Sequence, residues 1–448
     1  MPAPYELTAT EAVERLRRRE LSPVELVTSL LERIDALEPD IQAWETVDRE
    51  GALAAARRCE DVLAQGTGGM LCGLPVGIKD IFLTAGLPTT ADFAPYRDRD
   101  LAPQQDATAV ARLRAAGAII LGKTVTTQFA FSDPARTRNP WNPNHTPGGS
   151  SAGSGAAVAA RMVPAALGTQ TAGSTLRPAA YCGVVGLKPS YGRISRWGVL
   201  PLSWSLDHVG IIVRTVADAA LLLQALAGYD ARDTGSARRQ VPDYLAALAA
   251  EGPAPRLGLV RDFMDAAAPE SRAHVATVAA RLEASGAAIR EIRLPLPLPD
   301  VLAVQQAIMQ VEAAAVHAHL LTQHPESYRP KLRAYAEVGQ LIPGPVYVHA
   351  QRLRRRIREG VLKGLRGLDG LIMPTISDAA PDPSTTGDRT FQAVWTLLGL
   401  PAISLPTGLS AAGLPLATQL VARPFQEATL LGAAHWCAAA LGTLPPPR

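Results

Sequence analysis

Two glycine- and serine-rich segments, residues 148–155 and 171–174, lie close together and constrain this chain more than any other feature. They read GGSSAGSG and TAGS, and an alanine-rich run at residues 156–161 lies between them. A small hydroxyl residue in a tight glycine turn can present an oxygen nucleophile beside free backbone N–H groups. A helix cap at Ser151 or Ser154 explains the first segment taken alone. The two segments together favour a catalytic site.

Three kinds of site compete for the first segment. A phosphate-binding loop needs a lysine after its glycines, and none follows here. The dinucleotide motif fails because Val158 stands where its last glycine belongs. The esterase motif GxSxG matches residues 149–153 with Ser151 at its centre, which leaves an α/β-hydrolase-type esterase as one alternative. That mechanism also requires a histidine, and the histidines from His208 onward occur in no recognisable motif.

A lysine offers another base for a serine nucleophile. Residues 74–79 read LPVGIK, which predicts a buried strand that ends at Lys79. Burial disfavours the charged form of lysine and lowers its pKa, so that the neutral amine can accept a proton. The alternative is a lysine at the rim of the fold, paired with Asp80.

The order of the predicted elements indicates an α/β protein. The first 65 residues predict helices, and Ser22, Pro23 and Glu25 form a strong helix start. Strand–helix–strand patterns follow, and residues 300–366 are mostly helical. The arginines at residues 352–358 fit a solvated helix face.

Charge and cysteine content exclude several classes of protein. The net charge of +3 over 448 residues gives no reason to expect a nucleic-acid partner. The four cysteines are widely spaced, which fits a reducing compartment and neither a disulfide framework nor a zinc site. No stretch of about 18 apolar residues is present, and the N-terminus has no apolar signal core. We therefore expect a cytoplasmic protein without a membrane or metal partner.

Seven motifs, in the same order and spacing, resemble the amidase signature family of serine hydrolases over nearly the whole chain. They are GLPVGIKD at 73–80, DATAVARLRAAGAIILGKT at 106–124, PGGSSAGSGAAVAA at 147–160, GTQTAGSTLRPAAYCGVVGLKPSYGRIS at 168–195, LDHVG at 206–210, IMPT at 372–375 and GLPAISLPTG at 399–408.

The resemblance implies a Ser–cis-Ser–Lys triad. Ser174 is then the nucleophile, Ser150 the bridging serine after a cis peptide from Gly149, and Lys79 the base. The backbone N–H groups of the turn are expected to stabilise the oxyanion, and they belong to Thr171, Ala172, Gly173 and Ser174. The family mechanism needs no cofactor.

The resemblance also predicts the fold: α/β, the amidase signature fold, with a mixed twisted β-sheet core sandwiched by α-helices. We expect a single amidase domain over residues 1–448. Its predicted parts are outer N-terminal helices (1–70), a catalytic core (71–230), a variable, mostly helical substrate-side region (231–366) and C-terminal strands and a helix that complete the core (367–448).

Three residues depart from the commoner family pattern DTGGSIR. Gln170 replaces an acidic residue, Ala172 replaces a glycine, and Arg177 stands one place later. The acyl-transfer residues survive these changes. These changes leave open which contacts hold the loop in place and which substrate the protein cleaves.

The predicted function is a serine hydrolase that cleaves the C–N bond of neutral amides with apolar or aromatic groups, with side activity on esters and aryl carbamates. Gln128, Phe129 and Phe131 are predicted to contact the substrate. Further wall residues are expected from the helical segment and the C-terminal part: Met309, Tyr328, Tyr335, Leu341, Phe391 and Trp395. Because this lining carries few charges, it suits neutral ligands.

We expect a monomer or homodimer that acts on a small-molecule amide. One alternative within the family is an amidotransferase A-type subunit, which releases ammonia from glutamine within a complex. The other alternative is the α/β-hydrolase-type esterase that uses Ser151.

Overall fold

Eleven strands form one mixed sheet in the computed structural model, which describes residues 2–97, 103–249, 252–442 and 444–447. The strands are β1 (Trp44–Val47), β2 (Pro75–Lys79), β3 (Ile119–Thr124), β4 (Ala165–Gln170), β5 (Val185–Lys188), β6 (His208–Val213), β7 (Arg256–Val260), β8 (Ala288–Ile292), β9 (Gly370–Pro374), β10 (Ala402–Leu409) and β11 (Pro415–Val421). Their order is β1-β3-β2-β4-β6-β5-β10-β11-β9-β7-β8. The predicted mixed sheet with helices is confirmed.

Helices lie between most of the consecutive strands in the described residues, although β5 joins β6 and β10 joins β11 without one. They are α1 (Ala9–Arg17), α2 (Pro23–Ile41), α3 (Arg49–Ala64), α4 (Ala94–Arg97), α5 (Thr108–Ala115), α6 (Ala152–Ala159), α7 (Leu176–Tyr181), α8 (Val216–Leu226), α9 (Ala246–Ala249), α10 (Arg261–Ala266), α11 (Pro269–Ala284), α12 (Leu298–Gln323), α13 (Pro330–Gly339), α14 (Gly344–Gly364), α15 (Thr390–Leu397) and α16 (Glu427–Leu441). In the part of the chain that the structure describes, no helix has the length and apolar character needed to cross a membrane.

The helix starts follow the local sequence. Helix α2 begins at Pro23, after Ser22, whose side chain accepts from the Glu25 N–H while Glu25 reaches back to the Ser22 N–H. This capping box satisfies two N–H groups that the first turn leaves free. Thr215 starts α8 in the same way with Asp218 as its reciprocal partner. The predicted start of α2 is confirmed.

Parallel strands bring the two glycine-rich segments to one edge of the sheet. Strand β2 pairs in parallel with both β3 and β4, so that the carboxyl ends of β2 and β4 meet at the same edge. Lys79 ends β2, and residues 171–174 follow the end of β4 directly. Helix α6 packs against both strands, and a Cβ on Gly153 would collide with the carbonyl oxygen of Ala43, the residue before β1. The fold therefore places the candidate residues at the end of its central strands.

A buried ion pair joins β3 to the loop after β2. The Lys123 Nζ lies 3.0 Å from Asp80 Oδ1, and both side chains are almost fully excluded from solvent. Asp80 also accepts from the N–H and the hydroxyl of Thr90. The sequence alternative that pairs Lys79 with Asp80 is therefore wrong, because Lys123 holds that carboxylate.

Replacing Lys123 with methionine is expected to lower the free energy of unfolding by about 3–5 kcal/mol, because Asp80 then stays buried without its cation. Urea titration followed by circular dichroism measures this change. Lys363→Met, at an exposed position of α14, is the matched control and should shift stability by no more than about 0.5 kcal/mol. Equal effects of both substitutions would contradict a structural role for the Lys123–Asp80 pair.

Candidate active site

Among the described residues, the amine of Lys79 has two hydroxyl groups and no carboxylate as hydrogen-bond partners. Its Nζ donates to Ser150 Oγ at 2.7 Å and to Thr169 Oγ1 at 2.8 Å. The side chain is fully buried, and this desolvation lowers its pKa well below the ordinary value of 10.5. The charge of Asp207 acts in the opposite direction. Burial therefore favours the neutral amine, which is the form that accepts a proton.

The two neighbouring serines of the first segment occupy different environments. The Gly149–Ser150 peptide bond is cis, and Ser150 Oγ is the acceptor of the Lys79 hydrogen bond. Ser151 is equally buried, but its hydroxyl bonds the backbone of Thr169 on β4 as both acceptor and donor. The N–H of Ser151 donates to the Ser174 carbonyl at 3.3 Å. Ser150 thus contacts the lysine, and Ser151 fastens the two segments together.

Ser174 lines a cavity of about 620 Å³ with the three residues before it, Thr171, Ala172 and Gly173. Among the described residues, none of the hydrogen bonds uses the backbone N–H of these four residues or the hydroxyl of Ser174. Free N–H groups next to a hydroxyl are the arrangement that an oxyanion hole requires. A Cβ on Gly173 would collide with Gln392 Oε1, so a larger residue there would displace the Gln392 amide.

Hydrogen bonds of the Gln170 side chain hold this turn in place. Its Oε1 accepts from the N–H groups of Thr175 and Leu176 at 3.0 Å each, and its Nε2 donates to Thr396 Oγ1 at 2.9 Å. Thr396 in turn donates to the Ala172 carbonyl at 2.7 Å. An acidic residue could accept the same N–H groups but could not donate to Thr396. The amide at position 170 therefore ties the turn to both α7 and α15.

Asp207 fixes the other side of the turn. It accepts from the Thr171 hydroxyl at 2.6 Å and from the N–H groups of Leu202 and Ser203 at 2.9 Å each. Burial raises the pKa of this carboxyl, and the three hydrogen bonds act to lower it. Asp207 belongs to the LDHVG motif, so the sequence could have marked it as a site residue. Its hydrogen bond with Thr171 could not be predicted from the sequence.

Besides Arg177 on α7, four parts of the chain surround the cavity in front of Ser174. They are residues 130–132, the side chains of Gln306 and Met309 on α12, the first turns of α13, and the loop at residues 385–389. Lys79 and Ser150 are fully buried and lie outside this lining. The cavity therefore exposes the Ser174 hydroxyl while the amine stays away from solvent.

The predicted substrate contacts divide into two groups. Phe131 lines the cavity and packs its ring 4.7 Å from that of Tyr335. Gln128 bonds the backbone of Asp92, Ser327 and Arg329, so its amide links two loops. Phe129 packs in an aromatic cluster with Phe93, Tyr96, His317 and Tyr328. Gln128 and Phe129 lie outside the described lining, and we propose no direct substrate contact for them.

Two of the six residues predicted to form the substrate wall line the cavity. Met309 and Tyr335 line the cavity, whereas Tyr328, Phe391 and Trp395 are buried in packing and Leu341 is 80% exposed at the surface. The lining carries four charged residues that the sequence did not suggest: Arg177, Lys331, Asp388 and Arg389. The premise that the lining has few charges is therefore wrong. Their sequence signal was weak, because three of them lie outside the seven motifs.

Comparison with known proteins places these features in a family. The family model described as Amidase matches residues 25–431. The chain is 37% identical to the A subunit of a glutamyl-tRNA(Gln) amidotransferase from Geobacter metallireducens, with 96% of each chain covered.

Two solved structures superpose closely on the chain. The peptide amidase from Stenotrophomonas maltophilia gives a TM-score of 0.85 at 28% identity, and the match covers 100% of this chain and 99% of the other. A 6-aminohexanoate cyclic dimer hydrolase gives a TM-score of 0.88 at 28% identity, with the same coverage.

Substituting Gln170 tests the brace beneath the turn. Gln170→Ala removes the acceptor for two N–H groups and the donor to Thr396, so kcat should fall at least about tenfold on any amide that the protein hydrolyses. Gln170→Glu keeps the acceptor and should lose less. Steady-state kinetics with both variants measures this order. Equal loss in the two variants, or no loss in Gln170→Ala, would contradict the assigned role.

Proposed function

The chain belongs to the amidase signature family and is an amide C–N hydrolase, and on that premise we propose that it works through an acyl-enzyme on Ser174. The observation that carries the proposal is the buried Lys79–Ser150 hydrogen bond of 2.7 Å next to a turn with free N–H groups. Ser150 and Lys79 then serve as bridge and base, with no cofactor.

Acylation begins when the Ser174 hydroxyl attacks the amide carbonyl. Its proton passes to Ser150 Oγ as the Ser150 proton passes to the neutral Lys79 amine. The carbonyl oxygen becomes an oxyanion, and the N–H groups of residues 171–174 stabilise it. The same proton returns through Ser150 to the leaving amine, which breaks the C–N bond and leaves an ester on Ser174.

Water completes the reaction by the reverse proton path. It attacks the Ser174 ester and gives a proton to Lys79 through Ser150. The bond between the acyl carbon and Ser174 Oγ then breaks, the proton returns through Ser150 to Ser174 Oγ, and the carboxylic acid leaves. Because the same oxyanion site serves esters and carbamates, side activity on both follows from this mechanism. The apolar side chains of Phe131, Met309 and Tyr335 support an apolar or aromatic part in the substrate.

The burial of Ser151 disfavours the esterase alternative. An elbow serine must expose its hydroxyl to the substrate, whereas Ser151 is fully buried and bonded to the Thr169 backbone. No hydrogen bond within the described ranges joins Ser151 to a histidine. The required base is therefore missing from its surroundings.

An amidotransferase A-type subunit is the second candidate. It is favoured by the amidotransferase relatives, which are 37% and 39% identical to the chain in Geobacter metallireducens and a Roseiflexus species. Glutamine carries an α-ammonium, which needs a carboxylate partner. Asp388 is the carboxylate of the described lining, and Thr390 already donates to it through its N–H and hydroxyl. Both bonds go to one carboxylate oxygen and leave the other available to an ammonium, so the assay without partner proteins is what separates this candidate from a hydrolase that acts alone.

The purified chain should hydrolyse acyl anilides without ATP or partner proteins. Ser174→Ala and Lys79→Ala should lower kcat by at least about a thousandfold, since they remove the nucleophile and the base, and Ser150→Ala should be severely impaired. Release of nitroaniline measures the rate, and intact-mass spectrometry detects the acyl-enzyme.

Ser151→Ala is the matched control for the serine variants. It is expected to keep the acyl-enzyme on Ser174 even if packing around Thr169 weakens. Turnover by Ser174→Ala together with loss in Ser151→Ala would contradict the proposal. Glutamine-dependent ammonia release that requires partner proteins would favour the second candidate.

The pH dependence of kcat/KM should report the buried lysine. Only neutral Lys79 can accept the serine proton, so activity should rise with pH through its pKa and fall as pH drops below it. Because burial lowers this pKa, the midpoint of the acid limb should lie well below 10.5. A rate that keeps rising with pH up to about 10.5 would contradict a neutral buried lysine.

A further inference from the structure

We propose that Glu312 on α12 is a positioning residue for the turn at residues 171–174. It acts through Ser203 and Asp207, which connect it to Thr171. This inference rests on the proposed function, because that function assigns the turn to the oxyanion site. It starts from a carboxylate that lies outside the seven motifs and is completely buried.

Glu312 is an unexpected residue at its place in the sequence. It stands in a largely apolar stretch of α12, residues 307–316, and its side chain is excluded from solvent. A buried carboxylate is unfavourable unless hydrogen bonds satisfy it. The Ser203 hydroxyl donates to its Oε2 at 2.6 Å and the Ser205 N–H to the same oxygen at 3.0 Å. The Tyr347 hydroxyl donates to Oε1 at 2.8 Å. The carboxylate therefore joins α12 to two other parts of the chain.

Ser203 connects the carboxylate of Glu312 to that of Asp207. Its hydroxyl donates to Glu312, and its N–H donates to Asp207 Oδ2 at 2.9 Å, as the Leu202 N–H does. The other oxygen of Asp207 accepts from the Thr171 hydroxyl at 2.6 Å. A continuous series of contacts therefore runs from α12 to the first residue of the turn.

The segment between β5 and β6 depends on side chains for its position. The structure describes this segment throughout, and it contains no helix and no strand of the sheet. Its last part, residues 203–207, is a turn closed by backbone hydrogen bonds of 2.8 and 3.0 Å to the Ser203 carbonyl. Such a turn is rigid within itself, so outside contacts decide where it lies. Glu312 supplies two of them, and Arg354 on α14 donates to the Ser205 carbonyl at 2.9 Å.

Helix α12 also supplies part of the cavity wall. Gln306 and Met309 line the cavity, and Glu312 follows Met309 by three residues, which places the two side chains next to each other on the helix. N–H groups stabilise an oxyanion best when they are in place before it forms. Glu312 therefore fixes the turn relative to the wall that contacts the substrate.

Variants of the two ends of the Ser203–Glu312 contact test the role. Ser203→Ala removes one hydroxyl and should lower kcat for an acyl nitroanilide at least about threefold. Glu312→Leu leaves two donors without an acceptor and should lower kcat about tenfold or more. KM should stay within about twofold in both, because the side chains of the wall are unchanged. Glu312→Gln keeps an oxygen for both donors and should restore most of the rate.

Tyr347→Phe is the matched control. It removes a hydrogen bond from the same carboxylate, but from the oxygen that does not bond Ser203. Its kcat should stay within about twofold of the wild-type value even if its melting temperature falls. Equal losses of kcat in Tyr347→Phe and Ser203→Ala would mean that Glu312 only stabilises the packing of α12, and would overturn the proposal.

A second substitution at the other end of the series tests the connection directly. Thr171→Val removes the hydroxyl that bonds Asp207 and keeps the N–H of the turn. In this background Glu312→Leu should lower kcat by no more than about threefold further, because the connection is already broken. A further loss as large as in the wild-type background would contradict the proposal.

Urea titration of the same variants gives a readout that does not need turnover. The loss of stability in the Glu312→Leu, Thr171→Val double variant should be smaller than the sum of the single losses, whereas Tyr347→Phe with Thr171→Val should be nearly additive. If the wild-type chain hydrolyses no anilide, the proposed function is wrong, and this difference still supports the connection. Additive losses in both double variants would overturn it whatever the activity.

Discussion

The contact between the buried Lys79 amine and the Ser150 hydroxyl is the interaction around which the site is arranged. Two other lysines of the described chain are equally buried, and their partners differ. Lys123 pairs with Asp80, and Lys188 donates to the carbonyls of Leu400 and Pro189, with its pKa lowered to about 7 by burial. Lys79 alone among the three has hydroxyl groups as its only partners. Burial favours the neutral form of each amine, but only a hydroxyl partner can pass a proton from a nucleophile to the amine.

Small residues make this arrangement sterically possible. Gly153 allows α6 to approach the strand ends, and Gly173 gives Gln392 room against the turn. Side-chain hydrogen bonds support the turn in place of backbone hydrogen bonds. Gln170 and Thr396 hold one side of the turn, and Asp207 holds the other. The N–H groups of the turn consequently stay free for a ligand. The rigidity that an oxyanion site needs comes from polar side chains rather than from regular secondary structure.

Local patterns predicted much of the fold and part of the site. The strand that ends at Lys79 and the helix start at Ser22 rest on short-range rules, and the structure contains both of them. The substrate wall was less predictable, because its residues meet only in three dimensions. The position of Gln128 in the loop suggested a contact with the substrate. Its side-chain amide instead donates to the Ser327 carbonyl, 199 residues away in the sequence. The charge of the cavity was missed for the same reason, since Arg389 and Lys331 belong to distant segments.

The link from Thr396 to Ala172 spans 224 residues of sequence and has a consequence for the timing of synthesis. A ribosome releases both glycine-rich segments long before it translates the helix that holds their turn. The partial chain then contains Lys79, Ser150 and Ser174, but it lacks Gln392 and Thr396 beside the turn. A nascent polypeptide of this enzyme therefore carries the proposed nucleophile before its proposed oxyanion site is complete, and the last quarter of translation supplies the contacts that complete it.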